Sequence, residues 1–230
     1  MGFSQPTAVR LHITPEVSAV LRLGLVQAAP VQAGPASSVL MEELEDMRAE
    51  LQAAHAGKPP SSIEGLAPAR ELYRAFGVDP TRTRPSSEAL LRRVVRGKAL
   101  PRISGPVDLC NLLSLRFLLP LGLYDVAALQ GEVTLRHGRE GESYPGLGKA
   151  DVHVGGRLVL ADARGPFGNP TSDSLRTSVH IETTSLWLVI FAPRAFPSGR
   201  LQQHVEHACH AMERHLAPAN GSVHTCGRVV

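Results

Sequence analysis

Six consecutive apolar residues, Leu186-Trp187-Leu188-Val189-Ile190-Phe191, constrain this chain more than any other stretch. A run of that kind offers no polar side to water, so as a strand it must be covered on both faces in the middle of a sheet. Other strand signals gather around it: Glu132 to His137, Asp151 to Val154, Leu158 to Ala163 and Thr183 to Phe191, separated by Gly and Pro. The first half reads differently. Val9 to Ile13 alternates as a short strand, Thr14-Pro15-Glu16 turns the chain, and Ala19 to Ala28 reads as its partner strand. Helices follow. Ser37 or Ser38 caps one that runs to Ala54 on a Leu40, Leu44, Met47, Leu51 stripe. A second spans Ser62 to Phe76. The third opens at Pro85-Ser86-Ser87-Glu88, with a serine cap, and closes at Gly97. The fourth runs from Pro106 to Leu118 and is ended by Pro120-Leu121-Gly122. A last amphipathic helix, Ser198 to Leu216, turns Leu201, Val205, Ala208, Met212 and Leu216 inward. Helices mostly early, strands late and a helix near the end predict an α+β fold with a mixed or antiparallel sheet. One domain is expected over residues 1–217, with 218–230 a loosely held tail.

Several function classes fall away. No apolar stretch approaches the roughly 20 residues of a membrane span, and Leu109 to Leu123 is broken by Asn111, Arg116 and Pro120. The first 22 residues lack a basic start followed by an apolar run, so a cytoplasmic location is expected. Three cysteines with no C-x-x-C pair support neither a secreted disulfide framework nor structural zinc. There is no phosphate-loop pattern, no G-x-G-x-x-G after a strand and no H-E-x-x-H, so no cofactor or metal is expected. Net charge is only +3, but Arg70 to Arg102 holds nine basic residues against three acids. That excess could draw a polyanion or form a solvated helical face. Few aromatic residues, 4% of the chain, argue against an extended base-stacking platform.

Individual side chains leave alternatives open. Asp108 sits where a carboxylate can either satisfy the amides of a helix start or face a pocket. Asn111, three residues on, shares its helical face. Cys110 lies on another face, as a buried thiol or a nucleophile. His204, His207 and His210 invite a metal reading, but they point away from the apolar stripe and are expected in solvent. His153 and His180 flank a loop, and His180 is a minor candidate for a general base.

Ordered pieces between Glu71 and Phe191 carry a family resemblance: Arg84-Pro85-Ser86-Ser87-Glu88-Ala89-Leu90-Leu91-Arg92-Arg93, Gly97 to Ile103, Val107-Asp108-Leu109-Cys110-Asn111, Leu119 to Asp125, Leu135 to Glu142, and Asp173-Ser174-Leu175-Arg176-Thr177. In this order the chain resembles freestanding relatives of the tRNA-editing B3/B4 domain of the phenylalanyl-tRNA synthetase β-subunit. The resemblance implies that Asn111, Asp108 and the Tyr124-Asp125 pair match pocket positions, with Arg102 one position from the family arginine. Gly122 stands where the family has a histidine, Val189 where it has an acid, and Gly165 to Gly168 loosely represents its glycine-rich loop. Asp173, Ser174, Arg176 and Thr177 are expected to line the pocket, with Arg176 holding a phosphate or carboxylate. The alternative is a loop whose Asp173 and Ser174 make local turn bonds. Arg92, Arg93, Arg96 and Lys98 are candidate RNA contacts. The implied activity is hydrolysis of a mischarged aminoacyl-tRNA ester, with tRNA rather than DNA or membrane as partner. A non-catalytic module binding tRNA or a small molecule in the same pocket is the second reading, and a protein-interaction domain has no positive feature.

Overall fold

The computed structural model describes residues 8–59, 63–148, 150–219 and 221–230. The apolar run forms β9 (Leu186–Pro193), and all eight of its residues are buried. It is central in an antiparallel sheet, flanked by β2 (Leu21–Ala29) and β3 (Leu121–Asp125), with β10 (His224–Val229) beyond β2. Because side chains alternate across a strand, β9 serves two cores. Leu188 and Ile190, with Val26 and Ala28, pack under three helices: α2 (Ser38–His55), α5 (Gly105–Phe117) and α6 (Ser198–His215). Trp187, Val189 and Phe191, with Leu21, Leu23 and Leu25, pack on a second sheet of order β1-β4-β7-β8. Its strands are β1 (Leu11–Ile13), β4 (Val133–His137), β7 (Leu158–Asp162) and β8 (Gly165–Gly168). The result is an α+β molecule of three layers: helices, sheet, sheet. Each large apolar side chain buried between layers contributes about 1.5–3 kcal/mol of transfer free energy.

Two further helices, α3 (Ala67–Ala75) and α4 (Ser86–Val95), lean on this frame, and β5 (Ser143–Pro145) pairs with β6 (Asp151–His153) as a separate ribbon. α2 starts as expected, the Ser37 hydroxyl accepting the Leu40 amide at 3.2 Å. α4 does not. Pro85 occupies its cap with no side-chain bond, while Glu88 turns inward to Arg70 and Arg92 instead of the helix amides.

Several expectations are corrected. β1 does not pair with β2: it runs parallel to β4 in the other sheet, and the short helix α1 (Pro15–Ser18) carries the chain across with Val17 buried. The second helix begins at Ala67, and its expected start at Ser62 lies outside the described residues. Leu121-Gly122, read as a helix terminator, opens β3; helix α5 has already closed at Leu118, in the left-handed region at φ 53°. Gly165 to Gly168 is strand rather than loop. The stretch expected to hang loose after residue 217 supplies β10, paired with β2 over six residues. Among the described residues, no helix is long and apolar enough to cross a membrane.

Candidate functional site

Between α4, α5 and β3 lies a cavity of about 380 Å³. α5 supplies Val107, Cys110, Asn111 and Ser114, whose spacing of three and four residues puts them on one helical face. α4 adds Ser86 and Leu90, β3 adds Leu121 and Leu123, and the segment after β8 adds Asp173, Ser178 and Val179. Ile103 and Leu147 line it while remaining exposed. The wall is therefore hydrocarbon interrupted by a few polar groups, as expected of a site for an organic ligand. Ser114 is buried, and its hydroxyl finds no hydrogen-bond partner among the described residues.

Asp173 is held with unusual thoroughness. All three tyrosines of the chain bond to the short loop that carries it. Tyr73 donates to the Pro170 carbonyl at 2.7 Å, Tyr144 to the Ser172 carbonyl at 2.6 Å, and Tyr124 to Asp173 Oδ1 at 2.7 Å. The Asn169 side chain accepts the Thr171 and Ser172 amides, closing the turn. The backbone amide of Leu123, in the edge strand β3, also favours the charged form of Asp173. Burial raises its pKa from the ordinary carboxylate range to about 7, and the Tyr124 and Leu123 donors, which favour the charged form, oppose that rise only in part. Near neutral pH this carboxyl is poised to gain or lose a proton.

Tyr124 is itself clamped. Its ring meets Phe167 edge-on at 5.1 Å and Trp187 at 5.8 Å, with no exposed surface. A Cβ on either Gly122 or Gly168 would collide with its phenol, so two glycines make the slot through which the hydroxyl reaches Asp173. Gly122→Ala should lower stability in urea by about 1–3 kcal/mol, the usual range for overpacking. Gly122→Ala combined with Tyr124→Phe should recover part of that loss, because the struck hydroxyl is gone. Full additivity of the two substitutions would show that the slot does not couple them.

The expected site residues thus divide. Asn111 and Asp173 share the cavity. Tyr124 stands behind Asp173, outside the wall. Asp108 is buried and accepts the amide of Ile103, just ahead of α5, at 3.1 Å; among the described residues it makes no bond to the first amides of the helix, and it does not line the cavity. Arg102 is exposed and does not line the cavity. Ser174 and Thr177 are buried against each other, hydroxyl to hydroxyl at 2.9 Å, closing a 3-10 turn. Arg176, expected to seize a ligand, is committed inside the protein: both terminal nitrogens bond Asp162 at 2.9 Å, and one also bonds the Ala128 carbonyl at 3.0 Å. Gly122 and Val189 are cross-strand partners on the sheet face opposite the cavity, under the Tyr124 ring and the second sheet. The thiol of Cys110 faces the cavity but is pushed up to about 12 by burial, so it stays protonated and non-nucleophilic at neutral pH. His180 Nε2 pairs with Asp125 Oδ2 at 3.2 Å, beside the cavity-lining Val179.

The histidines of α6 are not uniformly in solvent. His204 stacks on Phe117 at 4.2 Å, and burial lowers it to about 4; His207 is half-buried against Arg116; His210 is exposed. No group of three metal-ligating side chains forms among the described residues. Sequence reasoning missed Ser86, Ser114, Ser178 and Val179. Ser114 alone left a trace, one turn beyond Asn111 on the same helical face.

No curated protein matches this chain. Among solved structures it is similar to an N-terminal fragment of the phenylalanyl-tRNA synthetase beta-subunit from Pyrococcus horikoshii, with 10% identity and a TM-score of 0.44. The alignment covers 97% of this chain and 50% of the fragment, so the chain spans about half the fragment's length. The B3/4 domain model matches residues 68–223, which take in α3 from its second residue, α4 to α6, the cavity-lining residues and strands β3 to β9, while β1, β2 and β10 lie outside the match. By that match, over more than half its length, the chain belongs to the B3/4 domain family.

Proposed function

We propose that this protein hydrolyses the ester of a mischarged aminoacyl-tRNA, acting apart from any synthetase. The observation that carries the reading is the placement of one carboxylate, Asp173, and one amide, Asn111, in the wall of a hollow whose other lining is mostly hydrocarbon, with three serines and the Cys110 thiol. The aminoacyl side chain lies against Leu90, Val107, Leu121, Leu123 and Val179. Asp173, as carboxylate, takes a proton from water as the water oxygen bonds to the ester carbonyl carbon. Asn111 donates an N–H to the carbonyl oxygen as it gains negative charge. The bond to the ribose oxygen then breaks, and Asp173 returns its proton to that oxygen. Free amino acid and uncharged tRNA result. An aminoacyl ester is already activated, so positioning water and stabilising the oxyanion suffice for useful rates.

The test is release of labelled amino acid from a panel of correctly and incorrectly charged tRNAs. Turnover of at least one mischarged species well above the buffer rate is expected. Release no faster than buffer for every species would sink the enzymatic reading. Recovery of the intact ester bound to the protein would assign the chain to binding without turnover.

A further inference from the structure

Two depressions flank Arg92 on the face of α4 that adjoins the cavity. One, about 250 Å³, is lined by Arg84, Ala89, Arg92, Arg93, Arg96 and Lys98, with no acid in its wall. The other, about 170 Å³, adds Arg70, Arg74 and Thr81 to Arg84 and Arg92. Arg84 and Arg92 belong to both, so the two make one trough. Its single acid, Glu88, is buried and already satisfied: Arg70 grips it with two nitrogens at 2.8 and 2.9 Å, and Arg92 reaches it with Nε at 2.8 Å. Glu88 thereby neutralises Arg70 and fixes the plane of Arg92, whose two terminal nitrogens make no protein hydrogen bond among the described residues. Arg93 leans its Nε on the Ala99 carbonyl. Arg84, Arg96 and Lys98 are exposed and form no ion pair among the described residues. Like charges one helical turn apart repel, and among the described residues only Glu88 pairs with Arg92 and no acid pairs with Arg96.

We infer that this trough is a track for the phosphodiester backbone of RNA. The inference rests on the functional reading above for the direction of the strand: α4 gives Ser86 and Leu90 to the cavity and its next face to the trough, so a strand whose esterified end enters one lays its phosphates in the other. The forked guanidiniums of Arg84 and Arg92 suit tetrahedral phosphate better than a flexible acidic peptide. With so few aromatics, backbone charge supplies the affinity.

Deacylated tRNA tests the trough without any turnover, since it has no ester to cleave. Its affinity is measured by fluorescence anisotropy over a series of salt concentrations. For Arg84→Gln/Arg96→Gln/Lys98→Gln, the slope of log affinity against log salt should shrink by about 2, at roughly 0.7 for each phosphate that is no longer neutralised. Affinity at low salt should fall about tenfold or more. The comparison protein carries Arg10→Gln/Lys58→Gln/Arg164→Gln, three exposed cations outside the trough that remove the same formal charge, and it should keep most of the wild-type slope. Equal losses in both triple variants, or an unchanged slope in the trough variant, would overturn the track. So would displacement of tRNA by polyglutamate as readily as by RNA of equal charge. If tRNA binds with the expected slope while no ester is hydrolysed, the trough stands and the hydrolytic reading fails; hydrolysis with the trough variant's slope unaltered gives the reverse.

Discussion

Asp173→Asn is expected to cut kcat/KM for ester hydrolysis by about 10²–10⁴-fold, the range lost when a positioned proton acceptor is removed. The substitution keeps size and shape, and the asparagine oxygen can still accept from Tyr124. In the wild-type protein the rate, corrected for hydrolysis by buffer, should rise with pH through a midpoint near 7, where burial places the carboxyl. Asp173→Asn should lose that rise. Tyr124→Phe should move the midpoint to higher pH, because the phenol donor favours the carboxylate and its loss leaves burial less opposed. The linkage runs the other way for stability. A carboxyl raised in the folded state binds its proton more tightly there than in the unfolded chain, so folding is favoured below the ordinary carboxylate range. That advantage is lost as pH rises through about 7. Asp173→Asn should therefore be the more stable protein above pH 7, by on the order of 1 kcal/mol once solvent access to the cavity is allowed for. Wild-type turnover by Asp173→Asn would remove Asp173 from the mechanism, whatever the stability data show.

Arg176→Ala is expected to lower stability by about 3–5 kcal/mol, which is the cost of leaving one partner of a buried ion pair alone. The Asp162 side chain is fully buried and faces Arg176 through two 2.9 Å bonds. Burial pulls Asp162 upward, but Arg176 and the amides of Gln130 and Arg164 outweigh it and hold the carboxyl below its ordinary pKa. A depressed carboxylate stabilises above its unfolded pKa, and that contribution fades as pH falls through the folded value. The gap between Arg176→Ala and wild type should accordingly be wide at neutral pH and narrow in acid. Arg176→Lys keeps the charge but loses the fork, and should fall between them. Urea midpoints at unchanged m-value provide the measurement. An Arg176→Ala protein as stable as wild type, yet unable to bind tRNA, would return Arg176 to the role of a ligand clamp.

The contrast between these two residues explains how far the sequence could be read. Asp173 and Arg176 stand three apart in one polar cluster, and no periodicity distinguishes the one that faces the cavity from the one that faces Asp162. The choice follows from Tyr124, 49 residues away, whose hydroxyl meets Asp173 only because Gly122 and Gly168 leave a slot. Gly122 likewise reads as a helix terminator in isolation, and becomes intelligible only beneath the Tyr124 ring. Asn111 was legible because its helix is local: a proline in the first turn and apolar spacing mark α5, and the helical period then places 107, 110, 111 and 114 together.

The order of helices and strands, the central position of Leu186 to Phe191, the helix that carries Asn111 and the excess of positive charge on and around α4 are properties of short windows, set by periodicity, turn residues and composition. Which strands pair was not, since β1 prefers β4 over its neighbour β2, and His224 to Val229 finds an edge almost two hundred residues earlier. Whether a charge meets a ligand or another buried charge was not either. Those outcomes depend on desolvation and packing between residues distant in the chain, and such energies exist only once the layers have closed.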